Sequence, residues 1–167
     1  MQVGLELEGI DALKSAMDNH CRRVARSLDK TLDKEAKDLV ANAQQNLRKN
    51  GSNAMGGLSA SGHSEKQGEL DYKVGFYSDP KGDHAEFVEY GRKAGKMPPP
   101  TADELVEWVR VKLRVRDRKE AKQVAWRVAR KIARAGTKAR PFFGPEVEAT
   151  KERVNKAIQK AIAQLTK

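Results

Sequence analysis

The sequence predicts an α+β protein in which a small antiparallel sheet of about three or more strands packs with one long N-terminal helix and about three C-terminal helices. Three observations carry this prediction. Short stretches alternate apolar and polar residues, one long run repeats apolar residues at steps of three and four, and further helical patterns follow between Gly and Pro signals. A length of 167 residues suits a single domain over residues 1–167.

The chain begins with a short amphipathic strand, because apolar and polar residues alternate over residues 3–7. Asp11 is then placed to cap a helix whose apolar residues recur at helical spacing over residues 13–47. Asn50 and Gly51 supply a stop signal. The apolar stripe is narrow and rich in alanine, which favours a helix that lies across a sheet or against a neighbouring subunit.

A flexible loop is predicted near residues 50–69, which are rich in Gly, Ser and Asn and contain almost no apolar residue. Loops of this length are usually functional or become ordered only on binding. Two strands follow, over residues 70–77 and 85–90, and the turn signals at residues 79–83 join them into a hairpin.

The C-terminal half is predicted to be helical after a Pro-rich basic arm near residues 91–100. Thr101 and Glu104 have the spacing of a capping box, which begins one helix. A second helix covers residues 119–135, with basic residues around a Val and Ile stripe. Pro145 is a favoured first-turn residue, and the last helix runs from about this position to the C-terminus.

The charge is concentrated in one part of the chain. The net charge is +10, and residues 92–140 hold 16 lysines and arginines against five acidic residues. Such a stretch indicates either a nucleic-acid footprint or a face that meets an acidic partner. The plain alternative is a solvated helix surface.

Neither a membrane span nor a disulfide is predicted. No stretch approaches the roughly 18 apolar residues that a membrane span needs. Cys21 is the single cysteine, which excludes an intramolecular disulfide and suits a reducing cytoplasm.

The sequence predicts no enzyme, no cofactor and no metal site. His20, His63 and His84 do not share the spacing of metal ligands. One group of residues around the predicted turn suggests a metal-dependent nuclease: Asp79, Asp83, His84, Glu86, Glu89 and Tyr90. Acidic residues beside a turn are ordinary turn chemistry, so this hypothesis ranks last of three.

Three segments in order resemble the tail-completion, or head–tail joining, family of tailed bacteriophages, whose members lie at the neck between head and tail. The segments read HAEFVEYG, then MPPPTADELVEWV, then GTKARPFFGPEVEA. The chain departs from the family pattern before the predicted hairpin, where residues 57–59 or 61–62 are a loose counterpart of a small Gly- and Ser-containing segment. The matching residues are Ala85, Val88, Glu89, Tyr90, Gly91, Pro98 to Pro100, Gly136, Pro141, Phe142 and Phe143.

This resemblance implies a non-enzymatic structural protein of the virion. It would complete the tail and join it to the head, as a homo-oligomeric ring with a hexamer favoured, and it could be a monomer in isolation. The implied partners are the head-closure or connector protein on one side and the tail-terminator or tail-tube protein on the other. Assembly would take place in the host cytoplasm.

Residues of a partner interface are predicted in the arm, at the strand before it, on the second C-terminal helix and in the loop before the last helix. The prolines would hold the arm extended. Adjacent phenylalanines after a helix more usually fill the core, and that alternative stays open. The predicted interface residues are Val88, Glu89, Tyr90, Gly91, Arg92, Lys93, Lys96, Pro98, Pro99, Trp126, Arg140, Pro141, Phe142 and Phe143.

The alternative function is non-specific nucleic-acid binding by residues 92–140. Phosphate contacts need only clustered cations, and no helix-turn-helix, RRM or KH pattern is visible. Trp126 lies at the edge of its helix's apolar stripe and is expected to be exposed, whereas Trp108 is expected in the core. The predicted DNA-facing residues are Arg114, Arg116, Arg118, Arg127, Arg130, Lys131 and Arg134.

Overall fold

The computed structural model describes residues 10–52, 55–77, 83–95 and 101–165. Over these residues the protein is α+β and mostly helical, as predicted, but its sheet has two antiparallel strands where three or more were predicted. The elements in chain order are α1 (Ile10–Lys49), α2 (Gly57–Ala60), β1 (Gly62–Gly68), β2 (Asp71–Phe76), α3 (Asp83–Tyr90), α4 (Ala102–Lys112), α5 (Arg118–Ala135) and α6 (Gly144–Leu165).

The long N-terminal helix is confirmed, with Asp11 in its first turn. All five of its buried residues lie in its second half, between Ala36 and Leu47, so only that half belongs to the core. Helix α6 lies along this half, and the Arg153 guanidinium donates to the Glu35 carboxylate at 2.6 Å. The predicted strand at residues 3–7 lies outside the described residues.

The predicted loop at residues 50–69 is wrong over most of its length, because it contains α2 and β1. Strand β1 pairs with β2, and Gly62 lies opposite Phe76 in the register. The side chains of residues 63–67 are all polar, so β1 shows no apolar alternation and gives no strand signal. A Cβ on Gly62 would lie 2.6 Å from the Phe76 ring, so a glycine here lets that ring pack into the core.

The predicted strand at residues 85–90 is also wrong, because these residues form helix α3. Ala85 and Val88 both pack against the core, and a spacing of three places them on one face of a helix. Phe87 is covered by the Arg92 guanidinium, 4.8 Å from the ring centre. The strand was predicted because this segment is rich in β-forming aromatic residues. Its contacts with the core follow helical spacing, and this packing outweighs the β propensity.

The first core cluster joins α1, α2, β2, α3 and the loop before α6. The Phe76 ring meets Phe142 edge to face at 5.2 Å and Phe143 at 5.7 Å. Both phenylalanines of the loop therefore pack on the core, which was the alternative to a role in a partner interface. The buried members of the cluster are Val40, Ala43, Leu47, Leu58, Phe76 and Phe142.

Truncation of Phe142 is expected to be costly, because its side chain is only 1% exposed. We expect Phe142→Ala to lower the free energy of unfolding by about 3–5 kcal/mol, measured by urea denaturation. Tyr90→Ala is the control, since that ring is exposed, and should change the free energy by less than about 0.5 kcal/mol. Equal effects of the two substitutions would contradict the placement of Phe142 in the core.

A second core cluster lies between α4 and α5. Val106 and Val109 pack against Ala121 and Ala125, and the small alanine side chains let the two helices approach closely. Trp108 packs against this cluster, which confirms its predicted place. The predicted capping box is also confirmed: the Thr101 hydroxyl accepts from the Glu104 N–H, and the Glu104 carboxylate accepts from the Thr101 N–H at 2.9 Å.

The β-hairpin is also tied to α1 by polar contacts. Both the Lys66 ammonium and the Tyr72 hydroxyl donate to the Asp29 carboxylate. The hydrogen bond from Lys66 holds the pKa of Asp29 below its usual value. These contacts bind the hairpin to the middle of α1, just beyond the apolar cluster.

Candidate functional site

The carboxylate of Glu89 binds the loop that leads into α6. Its Oε2 accepts from the backbone N–H groups of Phe142 at 2.8 Å and Phe143 at 3.0 Å, and its Oε1 accepts from Gly144 at 2.9 Å. Glu89 is only 8% exposed. We call this arrangement, Glu89 with the three N–H groups of residues 142–144, the Glu89 clamp.

The clamp supplies the start of α6 with hydrogen-bond acceptors that the residues just before the helix cannot provide. Gly144 begins α6, and the first N–H groups of a helix have no acceptor within it. Residues 140–143 carry no side-chain oxygen that could cap them. Glu89 supplies two oxygens from α3 and places negative charge at the positive end of the α6 dipole. A Cβ on Gly144 would lie 2.7 Å from Oε1, so a glycine here lets the carboxylate come close.

Backbone hydrogen bonds outside the Glu89 clamp also join the end of α3 and Arg92 to the segment before α6. Arg92 and Thr137 exchange two backbone hydrogen bonds, at 3.0 and 2.9 Å, and the Arg140 N–H donates to the Val88 carbonyl at 2.8 Å. We call residues 88–92 together with residues 136–144 the seam. It brings together segments that lie about 50 residues apart in the chain, which the sequence did not indicate.

The structure divides the predicted interface residues between the inside and the outside of the molecule. Glu89 and Phe142 are buried, and Val88, Gly91, Arg92 and Phe143 are partly buried in or beside the seam. Lys96, Pro98 and Pro99 lie outside the described residues. The exposed members are Tyr90, Lys93, Trp126, Arg140 and Pro141.

Five of the seven predicted DNA-facing residues lie on α5: Arg118, Arg127, Arg130, Lys131 and Arg134. Arg114 and Arg116 lie in the turn that precedes it. At 100° per residue, one side of α5 lies opposite its buried alanines, and every residue on that side is exposed. We call six residues of this side the α5 face: Lys119, Gln123, Trp126, Arg127, Arg130 and Arg134; the exposed Glu120 lies at its edge. Lys119 was not among the predicted DNA-facing residues, and Lys131 lies at the flank of the face.

Trp126 is the aromatic residue of the α5 face and is 53% exposed, as expected. The Arg130 guanidinium lies over its ring, 4.5 Å from the centre. Toward the N-terminus of the helix, Lys122 and Gln123 line a shallow open depression together with Trp126 and Arg127. The ring therefore has a cation on its C-terminal side and open space on its N-terminal side.

The proposed nuclease face does not form. It required His84, Glu86 and Tyr90 on one side of a strand, whereas the segment is helical and turns His84 away from Glu86 and Tyr90. Asp79 lies outside the described residues. The Glu89 carboxylate is occupied by three backbone N–H groups. Over the part of the chain that the structure describes, no group of three or more His, Cys, Asp or Glu side chains could hold a metal ion.

Among the described helices, none is both long enough and apolar enough to cross a membrane. Comparison with protein-family models, with curated proteins and with solved structures gave no significant match. The resemblance to the phage neck family therefore stays a prediction from the sequence motifs.

Proposed function

We propose that this protein is a non-enzymatic structural component of a tailed-phage virion, which completes the tail and joins it to the head at the neck. One observation carries the proposal. The two segments on which the resemblance depends most, residues 85–91 and 136–143, are bound to each other by the Glu89 clamp and the seam. A Glu in the first segment and a Pro-Phe loop in the second then form one structural unit, which is stronger support than two separate short matches.

The first half of α1 supports a role in assembly. Its apolar stripe continues past the core, and Leu13 and Met17 are 64% and 60% exposed. Ile10 extends the same exposed stripe at the start of the helix. Contiguous exposed apolar residues of this kind mark surfaces that bind another protein. In the proposed neck, this stripe packs on a neighbouring subunit of the ring, for which a hexamer is favoured, or on the adjoining tail or head-closure protein.

Polar substitution of this stripe should impair assembly and spare the fold. We expect Leu13→Ser/Met17→Ser to weaken binding to purified tails at least about tenfold, because burial of each side chain contributes about 1.5–3 kcal/mol. Its free energy of unfolding should fall by less than about 1 kcal/mol, since both side chains are exposed. The control is Lys14→Ser/Asp18→Ser, which alters the same two turns off the stripe without changing net charge. Equal tail binding by both double variants would contradict this role of α1.

Inactivation of the gene in the phage that encodes the protein tests the function itself. We expect electron micrographs of the lysate to show DNA-filled heads and finished tails that are not joined. Restoration of joined particles by the gene in trans is the control for effects on neighbouring genes. Normal yields of infectious particles without the protein would refute the proposal.

A further inference from the structure

The α5 face carries charge that the described parts of the chain do not neutralise. Lys119, Arg127, Arg130 and Arg134 are all exposed, and no salt bridge joins any of them to a carboxylate over the described ranges. The remaining two residues of the face, Gln123 and Trp126, are uncharged. From Lys119 to Arg134 the face is about 22 Å long at 1.5 Å per residue. Over the described residues it therefore presents a row of cations without ion pairs, with the Glu120 carboxylate at its edge.

Trp126 distinguishes this face from an ordinary solvated basic helix. Its ring is 53% exposed and lies among the cations of the α5 face. The Arg130 guanidinium lies over the ring, and Trp126 itself lines a shallow depression with Gln123, Arg127 and Lys122, whose ammonium pairs with Asp103 at 3.2 Å. An exposed ring with cations around it can stack a flat group while the cations bind negative charge attached to that group.

We propose that the α5 face binds an unpaired strand of nucleic acid, with one base stacked on Trp126 in the depression and with phosphates held by Arg127, Arg130 and Arg134. Proteins that bind single strands without sequence preference combine these two elements, a cationic track and an aromatic platform. The phosphates of a duplex could bind the cations, but its bases could not stack on Trp126 because they are already stacked on one another. This inference depends on α5 alone and stands or falls independently of the neck role.

Fluorescence anisotropy with a labelled oligothymidine strand tests the proposal on the full chain. At about 50 mM salt we expect Trp126→Ala to weaken binding at least about fivefold, with the salt dependence unchanged because no charge is removed. Arg127→Gln/Arg134→Gln should weaken binding and flatten the slope of log K against log salt by about 1.4, which is about 0.7 for each lost phosphate contact. Trp126→Phe should restore part of the affinity, because a phenyl ring still stacks.

The matched control is Lys156→Gln/Lys160→Gln on α6, which removes the same charge from two exposed positions elsewhere. It should bind like the unaltered protein. The proposal is overturned if the protein does not bind the strand at low salt, or if Trp126→Ala binds as well as the parent. It is also overturned if the control loses as much affinity as the α5 variant, since net charge alone would then explain binding. Tighter binding of a duplex, or displacement of the strand by polyglutamate, would replace it with a duplex or an acidic protein as the partner.

Discussion

Replacement of Glu89 by alanine is expected to lower the free energy of unfolding by about 3–5 kcal/mol. The substitution removes the acceptor of three backbone N–H groups at once, in a site where Glu89 itself is almost fully buried. Each donor left without a partner in such a site costs about 1–3 kcal/mol. Water can reach the half-buried backbone near Phe143 and Gly144, which keeps the total below the sum of three full losses.

Two further variants separate the clamp from other effects at this position. Glu89→Gln keeps the size of the side chain but turns one N–H₂ toward the backbone donors, so its effect should be intermediate. Glu86→Ala removes an exposed carboxylate from the same helix and should change stability by less than about 0.5 kcal/mol. Urea denaturation gives all three values. A loss of less than about 1 kcal/mol for Glu89→Ala would show that the clamp does not hold α6 in place.

Substitution of Gly136 by alanine is expected to be at least as damaging, by about 3 kcal/mol or more, because it opens the seam from the backbone side. Gly136 has φ 68° and ψ −162°, a region that essentially only glycine adopts. An added Cβ would also lie 1.9 Å from the Arg92 carbonyl oxygen. Because that neighbour is backbone, it cannot move away without breaking the paired hydrogen bonds between Arg92 and Thr137.

Gly95 provides a matched control for the cost of positive φ. Its φ is 67°, but a Cβ there would meet nothing within 4 Å, so Gly95→Ala should cost only about 1–2 kcal/mol. The double variant Glu89→Ala/Gly136→Ala should lose less stability than the sum of the single losses, because both changes disrupt the same seam. Additive losses, or equal effects of Gly136→Ala and Gly95→Ala, would contradict this account of the seam.

The long helices could be predicted because their signals are local. Helix α1 has an uninterrupted apolar spacing, and α4 begins at a capping box that the sequence states directly. The two errors concern elements whose form is set by the contacts they make rather than by their own residue pattern. Strand β1 is polar throughout residues 63–67 and forms only by pairing with β2, while α3 is rich in β-forming residues but is fixed by packing of Ala85 and Val88 on the core.

The candidate sites also differ in how far local sequence could predict them. The basic character of α5 and the exposure of Trp126 could be predicted from residue types and spacing. The role of Glu89 could not, because its partners are backbone groups more than 50 residues away. The only local signal was the lack of a capping side chain in residues 140–143, which showed that α6 needed an acceptor but not which residue provides it.

The clamp and α1 have separate parts in the proposed function. The clamp fixes the start of α6, and α6 in turn packs along the second half of α1. The first half of α1 then extends from this body with its apolar stripe exposed. Loss of the clamp should therefore destabilise the fold, whereas loss of the stripe should leave a stable protein that does not assemble.

The central claim is that this protein joins heads to tails, and its most direct test is the addition of purified protein to a lysate that contains filled heads and finished tails but lacks this gene product. The measurement is the number of infectious particles formed. We predict that the unaltered protein and Lys14→Ser/Asp18→Ser restore them, and that Leu13→Ser/Met17→Ser yields at least about tenfold fewer at equal concentration. Failure of the folded, unaltered protein to increase the number of infectious particles would contradict the claim.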